Sequence, residues 1–94
     1  MAFDPRIRHV DVVLSPAQVG SFTVVEQQFT VPGARSDDAV IHVRKPTAQT
    51  GMSVTQGRVV SEGTVGVSFL NATGAPITPT ASETYTFVLF VRQP

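Results

Sequence analysis

Two histidines and one aspartate are the residues whose type and spacing best fit metal chemistry. His9 and Asp11 are two positions apart in a segment that alternates polar and apolar residues, and His42 lies in a second such segment. Side chains at i and i+2 share one face of a strand, so these groups would form a divalent-metal site if the two strands were neighbours. The same spacing is typical of the exposed face of any half-buried strand. We therefore favour exposed polar positions and predict no metal.

Asp37 and Asp38 offer oxygen ligands of the kind that calcium prefers. The sequence around them lacks the alternating acids and the closing glutamate of a calcium-binding loop. Aspartate also favours turns, because its side chain hydrogen-bonds to nearby backbone. We interpret this pair as an Asx-type turn that leads into a strand.

The sequence gives no pattern for catalysis. It has no Gly-x-Ser-x-Gly motif, only two histidines to serve as bases, and no acids placed to converge in a cleft. Its glycines precede no helix that would cradle a phosphate. We interpret the basic residues Arg44, Lys45 and Arg58 as solvated surface charges. The sequence therefore predicts a protein that is not an enzyme, with no catalytic residue and no cofactor.

Composition narrows the class further. The chain has 94 residues, seven lysines and arginines, seven acidic residues and no cysteine. This length predicts one domain of modest stability, to which a partner subunit would add. The balanced charge argues against a nucleic-acid partner that is bound through its phosphates. The longest apolar run, residues 87–91, is too short to span a bilayer, and we expect neither a membrane partner nor a secretory signal.

Short segments rich in β-branched residues recur between turn residues, which predicts an all-β fold. We expect a single small antiparallel β-sandwich, jelly-roll or immunoglobulin-like, of six to seven strands over residues 6–94, preceded by an N-terminal arm at residues 1–5. We expect a type II turn at Pro32-Gly33 and a hairpin turn at Glu62-Gly63. Residues 47–57 are predicted to be a loop or a short edge segment around Met52 and Val54. The predicted strands cover residues 6–14, 23–31, 39–44, 58–61, 64–70 and 83–92, and residues 77–82 are extended without being a central strand.

Alternation along these strands predicts which side chains point inward. In residues 39–44 it places Ala39, Ile41 and Val43 on one face and the other three residues on the opposite face. In residues 64–70 it places the core positions at Val65, Val67 and Phe69.

The last strand differs from the others because both of its faces are apolar. Tyr85, Phe87, Leu89 and Val91 share one face, and Val88 and Phe90 lie on the other. Such a strand is either central in the sandwich or covered on its outer side by another subunit. We favour the second, since a small sandwich has one inner layer to fill. An edge strand over residues 6–14 would also add to a neighbour's sheet. The predicted interface therefore comprises Val88, Phe90, Arg6 and Arg8.

Four segments carry a resemblance to a known group. They are residues 26–33 (EQQFTVPG), 37–40 (DDAV), 58–61 (RVVS) and 64–74 (TVGVSFLNATG). With the proline-containing segment and the Tyr85 strand that follow, the chain resembles, over residues 15–92, small virion structural proteins of tailed bacteriophages. The resemblance implies a head decoration or cement protein, made in the host cytoplasm and located on the capsid surface of the virion. Its implied partners are the major capsid protein and itself, commonly as a homotrimer.

Two other functions stay open on the sequence alone. One is a tail, fibre or host-adsorption module of the virion. The other is a free β-sandwich that binds a carbohydrate or protein ligand, although the chain has no tryptophan and a single tyrosine to stack on a sugar.

Overall fold

The chain folds into antiparallel β-structure. The computed structural model describes residues 6–91, so the predicted arm at residues 1–5 and the end of the last predicted strand lie outside the described residues. Residues 6–91 contain no helix that is long and apolar enough to cross a bilayer. The strands are β1 (Ile7–Leu14), β2 (Thr23–Thr30), β3 (Ala39–Arg44), β4 (Met52–Ser61), β5 (Thr64–Asn71) and β6 (Glu83–Phe90).

These strands form two three-stranded sheets. The first sheet has the order β1-β6-β3 and the second has the order β2-β5-β4, with every pair antiparallel. The prediction of an all-β sandwich with six to seven strands is confirmed, and the number described is six. Each sheet therefore has one central strand, β6 in the first and β5 in the second.

The inward faces of the two central strands supply most of the core. Phe69 of β5 packs edge-to-face against Tyr85 of β6, with ring centroids 6.4 Å apart, and against Phe29 of β2 at the same separation. Burial of each large apolar side chain contributes about 1.5–3 kcal/mol. The predicted alternation in β5 is confirmed. The central-strand side chains with no exposed surface are Val65, Val67, Phe69, Tyr85, Phe87 and Leu89.

The position of β6 bears out one of the two alternatives for this strand and leaves the other untested. We expected coverage by another subunit in preference to a central position, but β6 is central and pairs with both β1 and β3. Its apolar outer face follows from this position in part, because a central strand has neighbours on both sides. What covers Val88 and Phe90 on the outside stays a prediction.

A β-bulge overturns the predicted faces of β3. Val40 lies opposite Leu89 and His42 lies opposite Val88, so Ile41 is an extra residue with no partner of its own. Val40 and Val43 consequently point inward, and Ile41 is 56% exposed. The prediction that Ile41 shares the inward face with Val43 is therefore wrong.

Of the two alternatives for residues 47–57, the loop is wrong from Met52 onward, and the edge segment around Met52 and Val54 is confirmed, although it is longer than predicted. Strand β4 begins there and runs for 10 residues along β5, with register shifts after Val54 and after Val59. Met52 and Val54 pack partly buried against the core. The continuity of this segment with the predicted strand at residues 58–61 was missed, because Thr55, Gln56 and Gly57 between them give no apolar alternation.

Both predicted turns are confirmed, and they lie against each other. Gly33 has φ +86° and Gly63 has φ +76°, a conformation that glycine adopts without steric cost. The Ala34 N–H donates to Val31 O at 3.1 Å and closes the Pro32-Gly33 turn. The Gly63 N–H donates to Ala34 O at 2.8 Å, and Gly63 O accepts from the Val31 N–H at 2.9 Å. The hairpin turn thus fixes the path between β2 and β3.

Gly57 sets the approach between the edge strands β3 and β4. A Cβ atom at this position would lie 2.7 Å from Val43 Cγ2 and 3.0 Å from Val40 Cγ1. Both contacts are closer than packed carbon atoms allow. The two sheets come together at this corner because residue 57 has no side chain.

We expect Gly57→Ala to lower the free energy of unfolding by about 1–3 kcal/mol, since an added methyl group overpacks the corner. Alanine is ordinarily favoured over glycine in a strand, so the clash reverses the usual sign. Urea denaturation measures the change. The control is Gly74→Ala, whose Cβ would meet Phe22 at 3.6 Å in ordinary contact. Equal stability of the two variants would contradict the close packing at Gly57.

Candidate functional site

The outer face of the first sheet is the candidate functional surface. Antiparallel pairing places residues of β1, β6 and β3 side by side in rows that cross the sheet. One row is Ile7, Phe90 and Ala39; the next is His9, Val88 and His42; the third is Asp11, Thr86 and Arg44. The surface is therefore apolar at one end and polar at the other.

The apolar end is a strip formed by Ile7, Val88 and Phe90. Ile7 lies directly opposite Phe90, with 46% and 38% of their surfaces exposed, and Val88 is half-buried. Directly opposed side chains contact each other on one face of a sheet, so the strip is continuous. The strip includes two of the four residues predicted for the interface, Val88 and Phe90, and places both on the outer face.

Arg8 points away from this strip, and Arg6 directly precedes its residue Ile7. The backbone carbonyl of Arg6 accepts a hydrogen bond from the Val91 N–H at 2.7 Å, next to the start of β1. Arg8 points to the opposite face of the sheet from Ile7, and its Nη2 donates to Gly33 O at 2.8 Å. The structure therefore brings Val88 and Phe90 together and uses Arg8 to hold the turn after β2.

The polar rows do not assemble the metal site that was considered. His9 and His42 flank Val88 on opposite sides, so β6 separates their strands. Two strand spacings put their backbones about 10 Å apart. Asp11 Oδ1 accepts a hydrogen bond from Thr86 Oγ1 at 2.7 Å. Within residues 6–91, no group of three or more histidines and acids is placed to hold a metal ion.

The paired aspartates form a turn. The Asp38 N–H donates to Arg35 O at 2.8 Å, and Asp38 Oδ2 accepts the Arg35 N–H at 3.1 Å. Asp38 is buried and Asp37 is exposed. The interpretation of these residues as a turn before a strand is confirmed.

The three basic residues that were read as surface charges have separate environments. Arg58 lies on the outer face of the second sheet and forms a two-bond ion pair with Glu26, with contacts of 2.7 and 3.0 Å. These hydrogen bonds lower the pKa of Glu26 and raise the pKa of Arg58. The pair crosses above Gly66, where an added Cβ would lie 2.6 Å from Glu26 Oε2. Arg44 is exposed on the first sheet, whereas Lys45 is largely buried.

Lys45 belongs to a buried polar cluster that sequence reasoning missed. Lys45 Nζ lies 3.1 Å from Glu83 Oε1, and each side chain is 9% exposed. Lys45 also donates to Thr47 O at 2.8 Å, and the Thr47 hydroxyl donates to Glu83 Oε2. The Thr47 hydrogen bond and the Lys45 ammonium hold the pKa of Glu83 below its ordinary value. The only sequence signal is that Glu83 occupies an inward position of β6.

Tyr85 adjoins this cluster in sequence and has no exposed surface. Its hydroxyl has no hydrogen-bond partner among the described residues. Burial, with a smaller contribution from the charge on Glu83, raises the pKa of Tyr85 to about 12. This phenol therefore stays neutral in the folded protein well beyond its ordinary range.

A cleft lies between the edges of β3 and β4. Its volume is about 130 Å³, and His42, Gln56 and Gly57 are among the residues that line it. Pockets that enclose small molecules are about 300–1,000 Å³. The cleft is too small for such a ligand, so the outer face of the first sheet is the larger candidate surface.

We expect Lys45→Met to lower the thermal midpoint more than the double variant Lys45→Met/Glu83→Leu. The single change leaves a buried carboxylate without its counter-ion, whereas the double change removes both charges.

The stabilisation from ionised Glu83 should be complete above pH 4.5, the ordinary glutamate value, and should disappear as pH falls through the lowered native pKa. Thermal melts of the wild type and Glu83→Gln between pH 7 and about pH 3 measure this loss. A difference in thermal midpoint between the wild type and Glu83→Gln that stays constant across this pH range would contradict the ion pair of Lys45 and Glu83.

Tyr85 allows a direct spectroscopic test, because the chain has one tyrosine and no tryptophan. We expect its absorbance at about 295 nm to titrate near pH 12 in the folded protein and near pH 10 in urea. The raised pKa stabilises the fold fully below pH 10, and this contribution is lost as pH rises to about 12. A native midpoint equal to that in urea would show that the phenol is solvated.

Comparison of the chain with protein-family models, with curated proteins and with solved structures gives no match. The resemblance to bacteriophage virion proteins therefore stays a prediction, and the outer face of the first sheet is the structural feature on which a function can be argued.

Proposed function

We propose that this chain is a non-enzymatic structural protein of a bacteriophage virion, a capsid decoration or cement protein that binds the head shell and stabilises it. The observation that carries the proposal is the apolar strip of Ile7, Val88 and Phe90 on the outer face of the first sheet. The resemblance of residues 15–92 to small virion proteins supplies the shell as the partner. On this proposal the chain binds as a homo-oligomer, the trimer being the state that the resemblance implies.

The strip suits attachment to a repeating lattice. Its residues project from paired strands, so few conformations are lost when they are covered. Each copy would bury a small apolar area and bind weakly, but many identical contacts on one particle give high avidity. A protein that binds the assembled shell and not its separated subunits shifts the equilibrium toward the assembled head.

The second sheet supports this use less well. The Glu26–Arg58 ion pair crosses the middle of its outer face, and burying that pair would cost desolvation of both charges. Its exposed apolar side chain, Val24, lies opposite Leu70 at one end of the sheet, with 59% of its surface exposed. The first sheet is therefore the favoured contact face.

We expect Phe90→Asp to fold normally but to lose binding to purified heads of the phage that encodes the chain, with at least about a tenfold weaker affinity. A charge in place of Phe90 interrupts the strip without entering the core. Phe69→Asp should fail to fold, because Phe69 has no exposed surface. The matched control is Val24→Asp, an equivalent change on the other outer face. Co-sedimentation with heads measures binding, and circular dichroism measures folding.

Several results would contradict the proposal. Equal unfolding of Phe90→Asp and Phe69→Asp would refute the assignment of faces. Equal loss of head binding in Val24→Asp and Phe90→Asp would refute the choice of sheet. Immunogold labelling of the tail instead of the head would identify a tail or host-adsorption module.

A further inference from the structure

The outer edge of β1 is an unprotected strand edge. β1 runs for eight residues, pairs with β6 without a register shift, and contains no proline. Arg6 O accepts the Val91 N–H, so residue 6 and every second residue after it direct their backbone groups toward β6. The alternate residues Ile7, His9, Asp11 and Val13 therefore direct their N–H and C=O groups away from the sheet. Within residues 6–91 no other strand pairs with this edge.

The other three edge strands carry features that obstruct pairing. β3 has one bulge and β4 has two register shifts, and these strands pack against each other at Gly57. On β2, Gln27 exchanges two hydrogen bonds with the backbone of Ala17, at 2.8 and 2.9 Å, so another segment lies along that strand. Bulges and covering segments are the usual means by which proteins block strand addition. β1 has no bulge, and its contact with the loop after β2 is made by the Arg8 side chain, which donates to Gly33 O.

We propose that β1 pairs antiparallel with β1 of a second copy of this chain, about a twofold axis at Val10. Val10 of one copy then lies opposite Val10 of the other, and the two first sheets join into a continuous six-stranded sheet. This interface shares Ile7 with the apolar strip, but it uses the edge of the sheet instead of its outer face and does not depend on binding to a shell.

Polar and apolar complementarity select this register. His9 of each copy lies opposite Asp11 of the other, and Ile7 of each copy lies opposite Val13 of the other. Ile7 and Val13 are exposed in the single chain, at 46% and 63%. Opposite-charge and apolar pairs across strands are favourable, and like charges are unfavourable.

Neighbouring registers are less favourable. An axis at Asp11 places two carboxylates against each other. An axis at His9 opposes two imidazoles and puts Ile7 against Asp11. Only in the Val10 register do both outer-face pairs match.

The inner face of β1 also gains from this pairing. Val10 and Val12 pack against the core but are only partly buried, because they lie at the edge of the sandwich. A second copy of β1 would cover the open side of both residues. The interface thus combines backbone hydrogen bonds with apolar burial, as strand addition generally does.

Disulfide crosslinking tests the register, because the chain has no cysteine of its own. Opposed residues that are not hydrogen-bonded have Cα atoms about 4.5 Å apart, within the range that a disulfide spans. Val10→Cys should therefore form a covalent dimer under mild oxidation. The matched control, Val12→Cys, should stay uncrosslinked, because its two thiols would lie about 13 Å apart along the strands.

Charge exchange tests the same contact without a crosslink. In sedimentation equilibrium, His9→Asp should raise the dimer dissociation constant about tenfold, because it opposes two pairs of carboxylates. His9→Asp/Asp11→Lys should restore association by opposing aspartate and lysine. His42→Asp, the same change on the far side of Val88, should have no effect.

A wild-type chain that stays monomeric, or that forms only a trimer, would overturn the pairing, as would crosslinking of Val12→Cys in preference to Val10→Cys. Failure of the double variant to restore association would also overturn it. Head binding by each variant is measured in parallel. Absence of a dimer in the wild type, with head binding retained, rejects this inference alone, and a wild-type dimer without head binding rejects the proposed function alone.

Discussion

The contact between β5 and β6 across the interior is the interaction on which the rest of this structure depends. Phe69 and Tyr85 meet edge-to-face at its centre, and the inward side chains on either side of them are completely buried. With three strands in each sheet, the two central strands fill nearly all of the inner layer. The edge strands supply half-buried residues such as Val12 and Val54. A core this thin cannot cover every apolar side chain, so some of them, such as Ile7 and Phe90, stay exposed on the outer surface.

The outer faces of the two sheets differ in what covers the central strand. On the second sheet, Glu26 and Arg58 lie across Gly66 and cover the central strand with a charged pair. On the first sheet, Phe90 and Ile7 form an apolar contact that stays accessible to solvent. β1 is also an edge strand of this sheet. The proposed contact with a shell and the proposed contact between two copies therefore use the face and the edge of the same sheet. We therefore propose that the first sheet is the side of the molecule that contacts partners.

Buried polar groups take the place of disulfides in fixing the loops. Asn71 is completely buried, and its amide binds Val19 O and Ala75 O while its carbonyl accepts from Thr73. The ion pair of Lys45 and Glu83 joins the end of β3 to the start of β6. Each group has partners that offset the cost of desolvation. The chain, which has no cysteine, thereby orders long connections around a small core.

Alternation and turn chemistry in the sequence determined the all-β class, the hairpin at Gly63 and the inward residues of β5, because these depend on neighbours along the chain. Only the tertiary structure decided three features. The Val40 side chain points inward, a strand continues through Gly57, and Lys45 is buried. A bulge depends on the register against another strand, a glycine inside a strand depends on what packs over it, and an ion pair between residues 45 and 83 requires the fold to bring them together. Strand order likewise determined that β6 separates His9 from His42, since contacts between distant residues leave no local periodicity to read.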